Sequence, residues 1–183
     1  MKKYEFTGET KQVGFFGNIT LKRIRATMEF GIIKIGDLGG WIEKEENLSH
    51  KGDAWVWGNA KVCGNAEVYG DAEVYGNAEV WGNAEVWGNA KVWGNAKVCG
   101  NAEVFSISHV LVVGPIGSRN DFTTFFRDKD SEITVKCGCF LGKIDKFLEK
   151  VCETHGDSKY AIVYRTAAEI AKQQIDLSEE KQL

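Results

Sequence analysis

The chain has 183 residues, of which 43% are hydrophobic and 27% charged, and its formal net charge is −3. This length suffices for one medium domain or two small ones, and the near-neutral charge argues against a general nucleic-acid-binding protein, which carries a basic patch. No apolar run has the length of a membrane span or follows the start as a signal peptide does. The five cysteines are odd in number, so we expect reduced thiols, a cytoplasmic location and no membrane partner.

The first 37 residues are not repetitive and read as strands. Apolar and polar residues alternate over residues 19–26, and a second short strand is predicted at residues 4–6. An open end of a repetitive β structure presents unpaired backbone groups. We therefore predict that residues 1–37 form an N-terminal β cap.

A six-residue unit, Val-x-Gly-Asn-Ala-x, recurs over residues 56–105, and Asp71 is its only replacement at the Asn position. A strict short period repeats one local geometry, which is typical of a solenoid. Valine suits an inward position on a very short strand. Gly-Asn suits a corner because both residues tolerate left-handed backbone angles, and the small alanine fits inward beyond it.

This unit resembles the hexapeptide repeat of left-handed parallel β-helices. The resemblance implies three hexads per triangular coil, so residues eighteen apart stack on one face. Glu73 then lies beside Lys91 on the first face. On the second face the charges of Lys61, Glu79 and Lys97 alternate in sign, as in favourable cross-strand pairs. On the third face three glutamates align, which indicates either a solvated stripe, the interpretation we favour, or a basic partner. The outward residues sort into Trp57, Tyr75 and Trp93 on one face, Cys63, Trp81 and Cys99 with Lys61, Glu79 and Lys97 on the second, and Tyr69, Trp87 and Phe105 with Glu67, Glu85 and Glu103 on the third.

The chain changes character after residue 105. A buried-strand run at residues 107–113 is followed by a predicted turn at residues 114–117. Residues 121–127 and 132–140 predict a β-hairpin, and residues 144–154 and 160–175 show the helical period. The predicted fold is therefore mainly β: a left-handed β-helix over residues 38–105 with an N-terminal β cap and a small C-terminal α+β domain over residues 106–183.

Two segments outside the regular repeat carry a second resemblance. Residues 36–49, with Arg23-Ile24-Arg25-Ala26 before them, resemble the leader of uncharacterised hexapeptide-repeat proteins common in bacteriophages and prophages. The segments Thr123-Thr124-Phe125-Phe126-Arg127, Cys137-Gly138-Cys139-Phe140 and Thr154-His155-Gly156-Asp157 resemble the C-terminal module that accompanies such repeats. The resemblance implies phage origin, and with it the host cell cytoplasm, but no activity.

Two constellations in the C-terminal part offer polar chemistry. Cys137, Cys139, Cys152 and His155 have ligand types that suit zinc, although buried small hydrophobes are the favoured interpretation of these cysteines. The turn at residues 114–120 offers backbone N–H groups, a hydroxyl and a guanidinium that could hold a phosphate; an ordinary connection is the alternative.

The rows of aromatic residues exceed what a soluble monomer normally exposes. They are expected to contact another subunit, to pack under the terminal segments, or to stack on a planar ligand such as a nucleobase. The candidate ligand site combines two sets of residues near the end of the repeat. Trp93 and Phe105 are the aromatic residues nearest that end, and Ser118, Arg119 and Arg127 are the residues that would bind phosphate.

The function we favour is that of a non-enzymatic oligomeric binding protein, a trimer or dimer without a cofactor or catalytic residues. Such a protein would antagonise host defence by sequestering a nucleotide-type signal or by blocking a host protein, without binding nucleic acid by sequence. One alternative is an enzyme, because the resemblance implies trimeric acyltransferases that use acetyl-CoA or metal-dependent carbonic anhydrases. Against it, residues 56–105 are uninterrupted and contain no histidine. A purely architectural phage protein is the other alternative.

Overall fold

The computed structural model describes residues 2–14 and 16–180, so parts of the predicted N-terminal and C-terminal segments, residues 1, 15 and 181–183, lie outside the described residues. The fold is mainly β, as predicted, with a parallel β-solenoid between an antiparallel N-terminal sheet and a C-terminal sheet that carries two helices. A strand begins at Leu38, and the last strand of the solenoid ends at Val104; the predicted domain boundaries at 37/38 and 105/106 stay a prediction.

The N-terminal strands continue directly into the solenoid. They are β1 (Tyr4–Val13), β2 (Ile19–Ala26) and β3 (Leu38–Ile42). β1 pairs with β2 and β2 with β3 in antiparallel fashion, whereas β3 pairs in parallel with the solenoid strand Lys61–Val62. The antiparallel strands therefore satisfy the backbone groups at this edge of the first coil.

Nine two-residue strands build the solenoid, and each places its valine inward. Their partners are eighteen residues apart, as in the pairing of Val62 with Val80 and of Val80 with Val98, which confirms the predicted period. The repeat valines and alanines are at most 2% exposed. The strands are β4 (Trp55–Val56), β5 (Lys61–Val62), β6 (Glu67–Val68), β7 (Glu73–Val74), β8 (Glu79–Val80), β9 (Glu85–Val86), β10 (Lys91–Val92), β11 (Lys97–Val98) and β12 (Glu103–Val104), and they form three faces.

The corners depend on glycine alone, which corrects the prediction that glycine and asparagine share the left-handed conformation. Repeat glycines such as Gly76 have φ of +73°, and a Cβ there would lie 3.0 Å from the backbone nitrogen of Gly94 on the next coil. No asparagine of the hexads, all of which are described, has a positive φ. The asparagine side chains form a ladder between coils instead, with Asn65 Nδ2 donating to Asn83 Oδ1 at 3.2 Å.

Stacking of the outward residues follows the predicted faces. The rings of Tyr69 and Trp87 are parallel to within 3° with centroids 5.7 Å apart. Lys61 pairs with Glu79 at 2.6 Å on the second face, and Lys91 pairs with Glu73 at 3.1 Å on the first. These pairs are partly exposed, so each contributes only some tenths of a kcal/mol.

The C-terminal part consists of a four-stranded antiparallel sheet and two helices packed on it. The sheet has the strand order β13 (Val110–Ile116), β14 (Asp121–Arg127), β15 (Ile133–Cys137) and β16 (Phe140–Lys143), followed by α1 (Ile144–His155) and α2 (Lys159–Gln174). The turn predicted at residues 114–117 is wrong in position, because β13 continues to Ile116 and the reversal lies at residues 117–120.

The strand β14 lies across the last coil of the solenoid. Thr124 Oγ1 accepts the backbone N–H of Lys97 at 2.9 Å, and the backbone N–H of Lys129 donates to the carbonyl of Asn101 at 3.1 Å. Both ends of the solenoid therefore contact other strands. No helix within residues 2–14 and 16–180 is long and apolar enough to cross a membrane.

Candidate functional site

A cavity of about 280 Å³ lies in the C-terminal part, between the β15–β16 hairpin, the 117–120 turn and the two helices. The hairpin turn and the turn after β13 supply its polar rim, and α1 and α2 supply its wall. It is lined by Ser118, Arg119, Asp121, Cys137, Gly138, Cys139, Phe140, Phe147, Lys150, Val151, Thr154, His155 and Tyr164.

The cavity has more cationic than anionic groups. Arg119 and Lys150 line it as cations, and Asp121 is the carboxylate among its lining residues. Arg119 Nη1 lies 3.9 Å from Cys139 Sγ, a contact that raises the pKa of the guanidinium further above its ordinary value. Lys150 pairs with Glu153 at 3.0 Å on the exposed side of α1, a contact that exchanges easily for a ligand. The lining residues therefore carry one more positive than negative charge.

Tyr164 on α2 organises the inner wall of the cavity. Burial raises the pKa of its hydroxyl, and the neighbouring Cys137 sulfur, with which it is hydrogen-bonded, raises it further, while its hydrogen bonds to Ser118 lower it. The ring of His155 stacks on that of Tyr164 with centroids 5.6 Å apart and an interplanar angle of 29°. At Gly117, where φ is +72°, a Cβ would lie 1.9 Å from the tyrosine hydroxyl. The turn therefore packs directly on this ring.

Of the five predicted ligand residues, Ser118 and Arg119 lie together on the rim of this cavity. Phe105 and Arg127 lie together elsewhere, at the junction with the solenoid, where the guanidinium is 4.8 Å from the phenyl centroid. Arg127 is 4% exposed and pairs with Glu103 at 2.9 Å. The acidic stripe predicted on the third face therefore ends in a buried ion pair.

Trp93 lies on the first face of the solenoid, 39% exposed and stacked on Tyr75 with centroids 6.3 Å apart. It does not line the C-terminal cavity, and neither do Phe105 and Arg127. Ligand contacts by these three residues stay a prediction, and the structure places them outside the site that Ser118 and Arg119 share.

The four residues considered as zinc ligands do not assemble as a set, and the favoured interpretation of the cysteines as buried small hydrophobes is wrong for Cys139 and Cys152, which are exposed. Cys137, Cys139 and His155 line the cavity, whereas Cys152 is exposed and does not. Within residues 2–14 and 16–180, the one group of three or more possible ligands with atoms within 4.8 Å of one another is Asp128, Asp130 and Glu132. Lys143 pairs with all three carboxylates, at 2.7 Å from Asp128. The ammonium group already occupies the position a cation would take.

Eight of the thirteen lining residues were not proposed as ligand or metal residues from the sequence: Asp121, Gly138, Phe140, Phe147, Lys150, Val151, Thr154 and Tyr164. Phe147, Lys150, Val151 and Thr154 recur at helical spacing on α1, so a signal for a shared helix face existed. Nothing in the sequence indicates that this face opposes the hairpin turn, because that contact joins residues distant in the chain.

A second cavity of about 320 Å³ lies at the start of the solenoid, where the loop at residues 31–33 meets the first coil. Asp53, Asp71 and Glu73 line it together with Trp55 and Trp57. The carboxylates give it the opposite charge to the C-terminal cavity, so it does not suit a phosphate-bearing ligand.

The other two histidines make contacts within the fold. His50 Nδ1 accepts the backbone N–H of Lys3 at 3.1 Å, and the ring stacks on Tyr4. His109 is buried, and its Nδ1 accepts the backbone N–H of Phe105 at 3.3 Å. Both histidines therefore stabilise the ends of the solenoid.

The chain matches no model of a known protein family, and a search of curated proteins finds no significant match either. The fold and the cavity define the class: a β-helix protein with a C-terminal α+β part that contains a cavity lined by Arg119 and Lys150.

Proposed function

We propose that the protein is a non-enzymatic binding protein whose C-terminal cavity takes a small phosphate-bearing ligand of the nucleotide type. The observation that carries the proposal is the convergence of Arg119, Lys150 and the Ser118 hydroxyl on one cavity. A guanidinium and an ammonium group supply charge-assisted hydrogen bonds to phosphate oxygens.

The remaining walls suit the other parts of such a ligand. Phe140 and His155, which are partly exposed, offer aromatic surface for a planar base, and the buried Phe147 and Tyr164 pack behind them. Asp121 can accept a hydrogen bond from a ribose hydroxyl or an exocyclic amine. At about 280 Å³ the cavity is at the lower end of the range for small-molecule sites, which favours a mononucleotide over a dinucleotide.

Binding is favoured over acyl transfer by the arrangement of the solenoid. Its hexads are uninterrupted, so no coil projects a loop that would shape an acceptor pocket. His50 and His109, which flank the hexads, are engaged in contacts at the two ends. A rigid scaffold that presents a small binding domain accounts for these features without a catalytic group.

The biological role we propose is that of a phage-encoded antagonist that sequesters a nucleotide-type signal of the host. The resemblance of residues 36–49 and of the C-terminal segments to phage and prophage proteins supports this origin. The exposed Trp93 on the first face, in a row with the half-buried Trp57 and Tyr75, supports assembly into a dimer or trimer through the solenoid. An oligomer would present several identical cavities.

Calorimetric titration tests the proposal with mononucleotides, cyclic mononucleotides, cyclic dinucleotides and ADP-ribose as ligands. We expect binding of at least one phosphate-bearing compound, and native mass spectrometry of protein purified from host cells should show the same ligand. Arg119→Ala and Lys150→Ala should each weaken binding by about tenfold or more, since each removes a hydrogen bond to a charged group.

Lys146→Ala is the matched control for Lys150→Ala. Both lysines are exposed on α1 and pair with the glutamate three residues later, but Lys146 does not line the cavity. Equal losses in the two variants would refute a specific role of the cavity. Absence of binding to every nucleotide in the panel would refute the nucleotide proposal and would favour a host protein as the partner.

A further inference from the structure

Two cysteines lie on one tight turn at the rim of the cavity. β15 ends at Cys137, Gly138 follows with φ of +53°, and β16 begins after Cys139. Cys137 is paired in register with Phe140, so Gly138 and Cys139 form a two-residue reversal. Residues two apart have Cα atoms at most about 7.2 Å from each other even when extended, and a turn shortens this distance toward the range of disulfides.

The two sulfur atoms have different surroundings. Cys139 is exposed, and Arg119 Nη1 lies 3.9 Å from its Sγ. A cation at this position can hold a negatively charged ligand against the exposed sulfur. Cys137 is half-buried, and its Sγ accepts a hydrogen bond from Thr123 Oγ1 at 3.3 Å. One thiol is therefore accessible beside a cation, while the other is shielded.

Cys63 and Cys99 have less reactive surroundings. Burial raises the pKa of both thiols to about 11, so almost all of each stays protonated at neutral pH. Cys152 is exposed on α1 but does not line the cavity. It therefore serves as an internal reference for an accessible thiol in the same chain.

We propose that Cys137 and Cys139 form a thiol–disulfide exchange site for low-molecular-weight disulfides that carry carboxylates, with Cys139 as the attacking and Cys137 as the resolving thiol. The Cys139 thiolate attacks one sulfur of the small disulfide, the S–S bond breaks, and one small thiolate leaves and takes up the proton lost by Cys139. Cys137 then loses its proton and attacks the Cys139 sulfur of the mixed disulfide, which releases the second small thiolate and transfers that proton to it. The two cysteines are oxidised to a disulfide, and the small disulfide is reduced to two thiols.

Carboxylates on the substrate follow from the charge of the cavity. Arg119 and Lys150 line the same cavity as Cys139, so their positive charges favour an anionic compound there. Glutathione disulfide is the probe of this class. The inference does not depend on nucleotide binding, because the exchange is read out on the cysteines themselves.

The experiment treats the reduced full-length chain with glutathione disulfide and follows each cysteine by peptide mass spectrometry after alkylation. In the wild type we expect loss of two hydrogen atoms from the peptide that contains both Cys137 and Cys139, without a lasting adduct. Cys137→Ser should accumulate one glutathione adduct on Cys139, because the resolving thiol is missing. Cys139→Ser should form neither product at this turn.

Arg119→Gln should slow the reaction of Cys139 by about threefold or more, since the variant lacks the cation that attracts the carboxylates of the small disulfide. Arg25→Gln is the control, because Arg25 is exposed in the N-terminal sheet and pairs with Glu5. The proposal is overturned if wild-type Cys139 reacts no faster than Cys152, or if the wild type retains the glutathione adduct. The rates of Cys139 and Cys152 are both measured on the wild type, so this comparison tests the proposal even if a serine variant fails to fold.

Discussion

Removal of the Arg127 side chain should strongly destabilise the junction between the solenoid and the C-terminal part. Its guanidinium donates to Glu103 Oε2 at 2.9 Å and to Ser131 Oγ at 2.7 Å, and the side chains of the ion pair are only 5% and 6% exposed. With an effective dielectric constant of about 20, the attraction at the 2.9 Å contact is about 6 kcal/mol before desolvation is subtracted.

Arg127→Met keeps much of the packing against Phe105 but removes the guanidinium that pairs with the buried Glu103 carboxylate. Breaking a buried ion pair in this way costs about 3–5 kcal/mol of the free energy of unfolding. For a chain of this size, that corresponds to a fall in melting temperature of about 6–20 °C. Urea denaturation followed by circular dichroism and by tryptophan fluorescence measures the loss.

A double-mutant cycle separates the ion pair from simple loss of packing. If the two side chains act as a pair, Arg127→Met and Glu103→Gln together should cost less than the sum of the two single changes. Strict additivity, or a loss below about 1 kcal/mol in Arg127→Met, would refute the reasoning, because such a loss is typical of an exposed pair.

Three further predictions concern the corners, the N-terminal cap and the cavity. Gly76→Ala should cost at least about 1 kcal/mol more of the free energy of unfolding than Gly58→Ala, because both residues have positive φ but only a Cβ at Gly76 meets the next coil, at 3.0 Å; equal losses in urea denaturation would exclude the steric contribution. Burial lowers the pKa of Lys3 to about 8 from 10.5, against the opposing attraction of Asp53 and Asp71. The unfolded chain therefore binds more protons between these two values, and wild-type stability should rise with pH from about 8 to 10.5 relative to Lys3→Met; parallel pH profiles of the two proteins would contradict the shift. Gly117→Ala should displace Tyr164, whose hydroxyl would lie 1.9 Å from the new Cβ, and should abolish ligand binding. Gly156→Ala, with no atom within 4 Å of its Cβ, should keep it. Calorimetric titration of both folded variants measures the difference, and equal binding would contradict the role of the turn.

The solenoid was predictable because its period is short and strict. Each hexad repeats the same burial of valine and alanine, so the register of Val62 with Val80 follows from counting residues. The pairing of Lys61 with Glu79 follows from the same count. The strands and helices of the C-terminal part were also recognisable, since alternation and helical spacing are local signals.

Features that depend on tertiary contacts were harder to predict. Asn83 was expected to share the left-handed corner conformation. Its side chain instead accepts a hydrogen bond from Asn65 on the neighbouring coil, a contact that exists only once the coils are stacked. β16 spans only Phe140–Lys143 and has no clear alternation. The predicted strand at residues 132–140 therefore ran through the turn after Cys137, and residues 141–143 were not assigned to a strand. The predicted ligand set combined residues from three places: the cavity, the junction with the solenoid and, for Trp93, the first face. The sequence does not show these distances, because they depend on how β14 meets the last coil.

The closing of each coil after three hexads has a consequence for how such a chain can grow. Adding eighteen residues would lengthen the solenoid by about 4.8 Å and would leave its two ends oriented as they are. Adding a single hexad would instead advance every later residue by one face, so β14 and the cavity beyond it would point in a new direction relative to β1. The number of hexads therefore sets both the length of the solenoid and the direction of the cavity relative to β1. Only insertions of three hexads, or multiples of three, change the length without changing that direction.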